Sequence, residues 1–178
     1  MSSTVRVLGE GRYIRLLDED GWEYITRHSV SGVVVLVAIT PARELVLVEQ
    51  YRRAVHGVVV ELPAGLVGDT PDLKAESLAT AAHRELLEET GFSAREMVEL
   101  VAGPIAVGVS DEIVTFFEAR GLERVGPGGG DASENITVQV VPLDGLTAFL
   151  DGRRAAGLAI DPKIFAGLYL AGVAPRTP

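Results

Sequence analysis

Glu85, Glu88 and Glu89 stand at i, i+3 and i+4 in the stretch Arg84-Glu85-Leu86-Leu87-Glu88-Glu89-Thr90-Gly91-Phe92. On an α-helix those offsets share one face. Three carboxylates on one face repel one another, and nothing basic at i+3 or i+4 relieves Glu85. A hard divalent cation held through carboxylate oxygens would offset that cost, and such a cation is suited to phosphoryl chemistry. The same spacing also occurs on solvated acidic helix faces that bind nothing. The triplet by itself leaves both readings open.

The elements around the triplet must position it. Ser77 is placed to cap a helix that runs through Leu78, Ala82, Leu86 and Leu87 to Thr90, with Gly91 as the residue that ends it. Leu86 and Leu87 are expected to anchor that helix on the core. Upstream, residues 12–26 alternate loosely about Asp18-Glu19-Asp20-Gly21 and read as a hairpin. Val33-Val34-Val35-Leu36-Val37-Ala38-Ile39 reads as a strand buried on both faces. Further strands are expected at 44–51, 58–62, 97–102, 112–119 and 136–142, with a flexible glycine-rich loop at Gly126–Asp131. A helix over about 145–155 follows, then another that Asp161 caps and Pro162 opens. Strands and helices mixed in this way predict an α/β sandwich with a mixed sheet.

Composition narrows the function classes. The chain has 178 residues, a net charge of −9 and no cysteine. Disulfide and thiolate chemistry are excluded. An acidic protein is a poor partner for nucleic-acid backbones, so no nucleic-acid partner is expected. No basic, apolar leader is visible at the start and no apolar run is long enough for a membrane span, so no membrane partner and a cytoplasmic location are expected. The negative charge also sits awkwardly with an anionic substrate unless cations come between them. His28, His56 and His83 lack metal-ligand spacing.

The residues from Gly65 to Phe92 resemble the Nudix box. Glu76 is followed by residues 77–83, then Arg84-Glu85, Leu86, Glu88-Glu89, Gly91 and Phe92, all in the family's spacing. Gly65, in Glu61-Leu62-Pro63-Ala64-Gly65, matches the first glycine, although the loop from 66 to 75 is five residues longer than the family pattern. The resemblance implies a Nudix-type α/β/α sandwich with a mixed β-sheet, whose catalytic motif is loop–helix–loop. It implies that Glu85, Glu88 and Glu89, with the Ala64 carbonyl, bind Mg²⁺ or alternatively Mn²⁺. Arg84 would orient a glutamate, with Glu88 at i+4 the expected partner, and Glu76 would support the loop. Residues 31–178 would form the Nudix hydrolase domain. Residues 1–30, the N-terminal β-hairpin, would belong to a homodimer interface.

Gln50-Tyr51-Arg52 and Glu61-to-Gly65 are similar to the branch of ADP-ribose pyrophosphatases and nucleoside diphosphate sugar hydrolases. That likeness implies a small-molecule nucleotide substrate, ADP-ribose favoured, with Arg52 on a phosphate, Glu61 near the base and Gly65 at the substrate. Gly108-Val109-Ser110-Asp111-Glu112 resembles the same branch, but Val107 stands where a proline is usual. GDP-mannose, another nucleotide sugar or a nucleoside triphosphate stays open as substrate, as does a non-catalytic sensor. Glu134, with Asp131 second, is the candidate general base, and a helix glutamate is the alternative. Trp22 either stacks on a nucleobase across a dimer or fills the hairpin core.

Overall fold

A computed structural model of the chain describes residues 4–28, 30–130 and 135–173. The strands and helices in chain order are β1 (Val5–Glu10), β2 (Ile14–Glu19), β3 (Trp22–Arg27), β4 (Gly32–Ala38), β5 (Glu44–Arg52), β6 (Gly57–Glu61), β7 (Ala64–Val67), α1 (Leu78–Thr90), β8 (Phe92–Ser93), β9 (Glu96–Pro104), β10 (Ile113–Arg120), β11 (Glu123–Arg124), β12 (Ile136–Pro142), α2 (Leu146–Ala155), β13 (Ala159–Ile160) and α3 (Lys163–Leu170).

Strand β4 explains the layering. Successive side chains of a strand point to opposite faces, and both faces of β4 are buried from Val34 to Ala38. Val35 and Val37 enter a core with Leu45, Leu47, Leu146, Ile164 and Leu168. Val34, Leu36 and Ala38 enter a second core with Ala81, Ala82, Leu86 and Phe117. Helix α1 therefore covers one side and α2 with α3 the other, which is the expected α/β/α sandwich. One sheet runs β7-β4-β10-β9, with β4 parallel to β10 and the other pairs antiparallel. The other runs β12-β5-β6-β13, with only β6 and β13 parallel. A bridge between Ile39 and Leu45 links the two.

The predicted hairpin is there, turned by Asp20 (φ 53°) and Gly21 (φ 91°) between β2 and β3. It gains a third strand, β1, antiparallel to β2. The described residues of this sheet contribute to neither core. Two expectations fail. Leu87 is 45% exposed because it lies about 140° round the helix from Ala82 and about 160° from Glu89, away from the buried stripe. Trp22 is 62% exposed and does not fill the hairpin core. Helix α3 begins at Lys163, one residue after Pro162, and the Asp161 carboxylate accepts from the Lys163 amide at 2.8 Å.

Candidate active site

Ser77 accepts from the Thr80 amide at 3.1 Å, fixing the start of α1. Gly91, at φ 73°, ends it by donating to the Leu87 carbonyl at 2.9 Å. A side chain at Gly91 would be strained by that φ, and its Cβ would lie 2.2 Å from the Gly126 carbonyl oxygen. Between these ends, Glu89 falls in the buried stripe with Ala82 and Leu86 and is only 4% exposed. Glu85 lies about 40° from Glu89 on the helix, whereas Glu88 lies about 100° away. The helix thus presents two of its three carboxylates inward and turns the third aside.

Strand β7 receives the inward pair. The Ala64 amide donates to Glu89 at 3.0 Å. A Cβ built at Gly65 would fall 1.9 Å from the Glu85 carboxyl carbon. Only glycine at 65 leaves the space that the Glu85 carboxylate occupies. This close approach is the physical reason for a glycine there.

Arg84 ties the loop to the helix. Its guanidinium donates to Glu76 at 2.8 and 3.3 Å, to Glu85 at 2.8 Å, to Glu88 at 3.1 Å and to the Leu66 carbonyl at 3.2 Å. The expected Glu88 contact is present, but Glu76 is the main partner. Glu76 also accepts from the Gly68 amide at 3.2 Å. The arginine hydrogen bonds hold the Glu76 carboxyl below its ordinary range, and the same contact with Glu76 raises the Arg84 pKa. Relief of Glu85 comes from the adjacent residue, a geometry that helix offsets alone do not suggest.

The inward carboxylates face a cleft of about 390 Å³. Val33, Val35 and Val114 give it apolar lining, and Ala64, Gly65, Glu85 and Glu89 line it as well. Arg52 and Glu61 line it as a two-pronged ion pair, with contacts of 2.6 and 2.9 Å. Two residues chosen separately from sequence are thus one unit, made possible because β5 and β6 pair antiparallel. The cleft also takes Arg27, paired with Glu112, and Lys163, paired with Asp161. Arg27 and Lys163 carried no motif. Arg27 reaches the cleft because Ile25 bridges Ser110 and its amide donates to the Val109 carbonyl at 2.9 Å. Glu112 lies in the stretch already marked at 108–112.

Trp22 and Glu88 do not line this cleft. Glu134 and Asp131 lie outside the described residues. The glycine-rich loop before them is held against α1: Gly129 donates to the Glu89 carbonyl at 2.8 Å and Gly130 to the Glu88 carbonyl at 3.0 Å. It is a cap on the helix end, not the free hinge that its composition suggests.

The donors fit a divalent cation in kind. Carboxylate and carbonyl oxygens of Glu85, Glu89 and Ala64 are hard ligands, and the glycine gap at 65 keeps the Glu85 carboxylate at the strand edge. Among the described residues no three acidic or imidazole groups are already gathered in one cluster. Glu88, 53% exposed and on Arg84, would have to rotate to join them.

Comparison with known proteins agrees with this geometry. The methanol dehydrogenase activator of Bacillus methanolicus is 34% identical over 131 residues, covering 73% of this chain and 67% of that protein. An ADP-ribose pyrophosphatase of Bacillus subtilis is 35% identical over 91 residues, covering 51% of this chain and only 46% of that protein. A solved structure described as an ADP compounds hydrolase shares the fold, with a TM-score of 0.69 at 21% identity over 97% of this chain and 93% of that one. The NUDIX domain model matches residues 30–160. The chain belongs to the Nudix family, on the side of it that includes ADP-ribose pyrophosphatases.

Proposed function

We propose that the protein hydrolyses the pyrophosphate bond of a nucleoside diphosphate sugar, with ADP-ribose as the favoured substrate and AMP and ribose 5-phosphate as products. One observation carries the reading: α1 delivers Glu85 and Glu89 to the same cleft that holds the Arg52–Glu61 pair. A diphosphate needs cationic contacts on one side and a cation-binding acidic wall on the other, and the cleft has both.

Glu85, Glu89, Glu88 after rotation, and the Ala64 carbonyl would hold Mg²⁺, with Mn²⁺ as a substitute. When bound, the cation neutralises diphosphate charge and makes water a stronger nucleophile at neutral pH. Arg84 keeps Glu85 oriented. Glu61 engages the Nε and Nη2 donors of Arg52 and so fixes the plane of the guanidinium against the cleft. Arg52 then binds a phosphate oxygen in a defined direction. In this reading Glu61 acts through Arg52, and any contact with the base is secondary. Glu134, or a helix glutamate, takes the proton from the attacking water. The loop contacts at Gly129 and Gly130 support Glu134, because the chain enters 131–134 from the end of α1 that carries the carboxylates. Attack at one phosphorus breaks its bond to the bridging oxygen, which leaves on the other phosphate.

We also propose a homodimer, joined through the exposed apolar face of the N-terminal sheet, with Trp22 placed at the partner's cleft. No described helix is long and apolar enough to cross a membrane. A cytoplasmic location goes with the cysteine-free composition.

Product analysis with Mg²⁺ across ADP-ribose, GDP-mannose, other nucleotide sugars and a nucleoside triphosphate tests the proposal. The expected result is AMP and ribose 5-phosphate from ADP-ribose at the highest kcat/KM. Preference for a triphosphate would overturn the substrate class, and binding of nucleotide sugars without turnover would replace the enzyme with a sensor.

A further inference from the structure

The chain has two lysines, Lys74 and Lys163, among its 16 lysines and arginines. Lys74 is exposed on the loop before α1. Lys163 is the other kind: its side chain is only 24% exposed and lines the cleft. It comes from the opposite helix layer to Glu85 and Glu89. Ile164, the next residue, is fully buried in the core beneath α3, so the backbone that carries Lys163 is anchored.

Asp161 aims it. The Asp161 carboxylate, 10% exposed, accepts from the Lys163 backbone amide at 2.8 Å and also pairs with the Lys163 ammonium. The Asp161 amide in turn donates to the Val60 carbonyl at 3.0 Å, where β13 runs parallel to β6. Val60 adjoins Glu61, which holds Arg52. The carboxylates that set the two cations, Asp161 and Glu61, therefore come from adjoining backbone positions, and both cations line one cleft. An ammonium has three donors, and one carboxylate partner does not exhaust them.

We infer that Lys163 is a substrate-binding residue for the diphosphate, placed across the cleft from Glu85 and Glu89, and that Asp161 is its positioning residue. The inference rests on the nucleotide-sugar reading of the cleft. A lysine here supplies a point charge without the planar demand of a guanidinium, so it can hold a diphosphate oxygen equally well in the bound substrate and along the reaction.

Two measurements separate this inference from the reading beneath it. The first is amine-selective labelling followed by peptide mass spectrometry, with and without the methylene-bridged, non-hydrolysable analogue of ADP-ribose plus Mg²⁺. Lys163 should be protected and Lys74, the internal reference, should not. Equal labelling of Lys163 with and without the analogue, while the analogue binds, overturns the inference and leaves the cleft reading intact. Failure of the analogue to bind at all overturns both. The second is steady-state kinetics. Lys163→Met should raise KM for ADP-ribose about tenfold or more with a much smaller change in kcat. Lys163→Arg should recover part of the loss. Asp161→Asn keeps an acceptor for the helix-start amide but loses the charge, and should raise KM in the same direction by less. An unchanged KM in Lys163→Met sinks the assignment.

Discussion

Helix α1 and the N-terminal sheet both carry apolar and charged residues in alternating patterns, yet the structure uses them in opposite ways. On α1 even charged groups are drawn inward: Glu89 is 4% exposed and Glu76, which braces the helix, has a side chain 5% exposed. On the sheet even apolar groups face out: Val5, Val7 and Trp22 are 50%, 53% and 62% exposed. Buried carboxylates are costly unless hydrogen bonds and cations satisfy them. Exposed valines and a tryptophan cost little singly, but as a patch they are the kind of surface the proposed dimer would bury. The first region lines a cleft, and the second leaves apolar surface that the proposed dimer would cover.

The contrast is broken most directly at Glu89. Glu89→Gln retains an acceptor for the Ala64 amide, so the helix should stay docked and the melting temperature should change little. Turnover should fall by on the order of 10³-fold, the scale of losing a group that stabilises the reacting phosphate through its cation. Wild-type turnover in this variant would mean the buried carboxylate is only structural.

Arg84 comes next. Arg84→Met leaves Glu76 buried without its main partner, and breaking a buried pair from one side costs about 3 kcal/mol. Chemical denaturation should show that loss at neutral pH. Acid should shrink it. Arg84 holds the Glu76 carboxyl below its ordinary value of 4.5. A carboxylate depressed in the folded state adds stability above its unfolded value and loses it as pH falls through the folded one. The difference between wild type and Arg84→Met should therefore be full at pH 7 and narrow below about 4.5. A difference that stays constant on acidification would show that Arg84 acts by packing alone.

Gly65→Ala tests the inward arrangement more finely. The added methyl would sit 1.9 Å from the Glu85 carboxyl carbon and must displace it. Cation activation, followed as rate against Mg²⁺ concentration, should weaken about 10- to 100-fold, the range for disturbing a ligand's support. Unchanged Mg²⁺ dependence would remove Glu85 from the cation site.

The same contrast explains what the sequence could tell. The cap at Ser77, the stop at Gly91 and the strand at Val34–Ala38 are local: each depends on a few adjacent residues, and each is found where expected. Glu85, Glu89, Arg52 and Glu61 are legible by spacing, and the cleft gathers them. Arg27 was not legible, because its partner Glu112 is 85 positions away and meets it only through the Ile25–Ser110 bridge. Lys163 has the same difficulty: nothing next to it announces that β13 will lie beside β6. Leu87 misled because it points away from the buried stripe, about 140° from Ala82 and about 160° from Glu89 around the helix. The glycine run at 126–130 misled because glycine permits close approach as readily as it permits motion.

The sheet gives the smallest expected effect. Register sets Val7 opposite Leu17, and Val5 and Trp22 each opposite Glu19, so Val5, Val7 and Trp22 share one face. Ile25, which bridges the body of the protein, lies opposite Leu16 on the other face. The proposed dimer uses the face with Val5, Val7 and Trp22, which are the most exposed large apolar residues of β1 and β3. In a two-fold dimer each residue is counted twice, so Val7→Ser combined with Trp22→Ser removes four apolar side chains from one interface. Even at the low end of about 1.5 kcal/mol per buried side chain, discounted by half for incomplete burial, the dimer constant should weaken by well over tenfold. Sedimentation at micromolar concentrations should show monomer in the variant and dimer in wild type, while the melting temperature measured on the monomer stays close to that of the parent. If wild type is already monomeric, the exposed face has another occupant and Trp22 has no partner's cleft to enter.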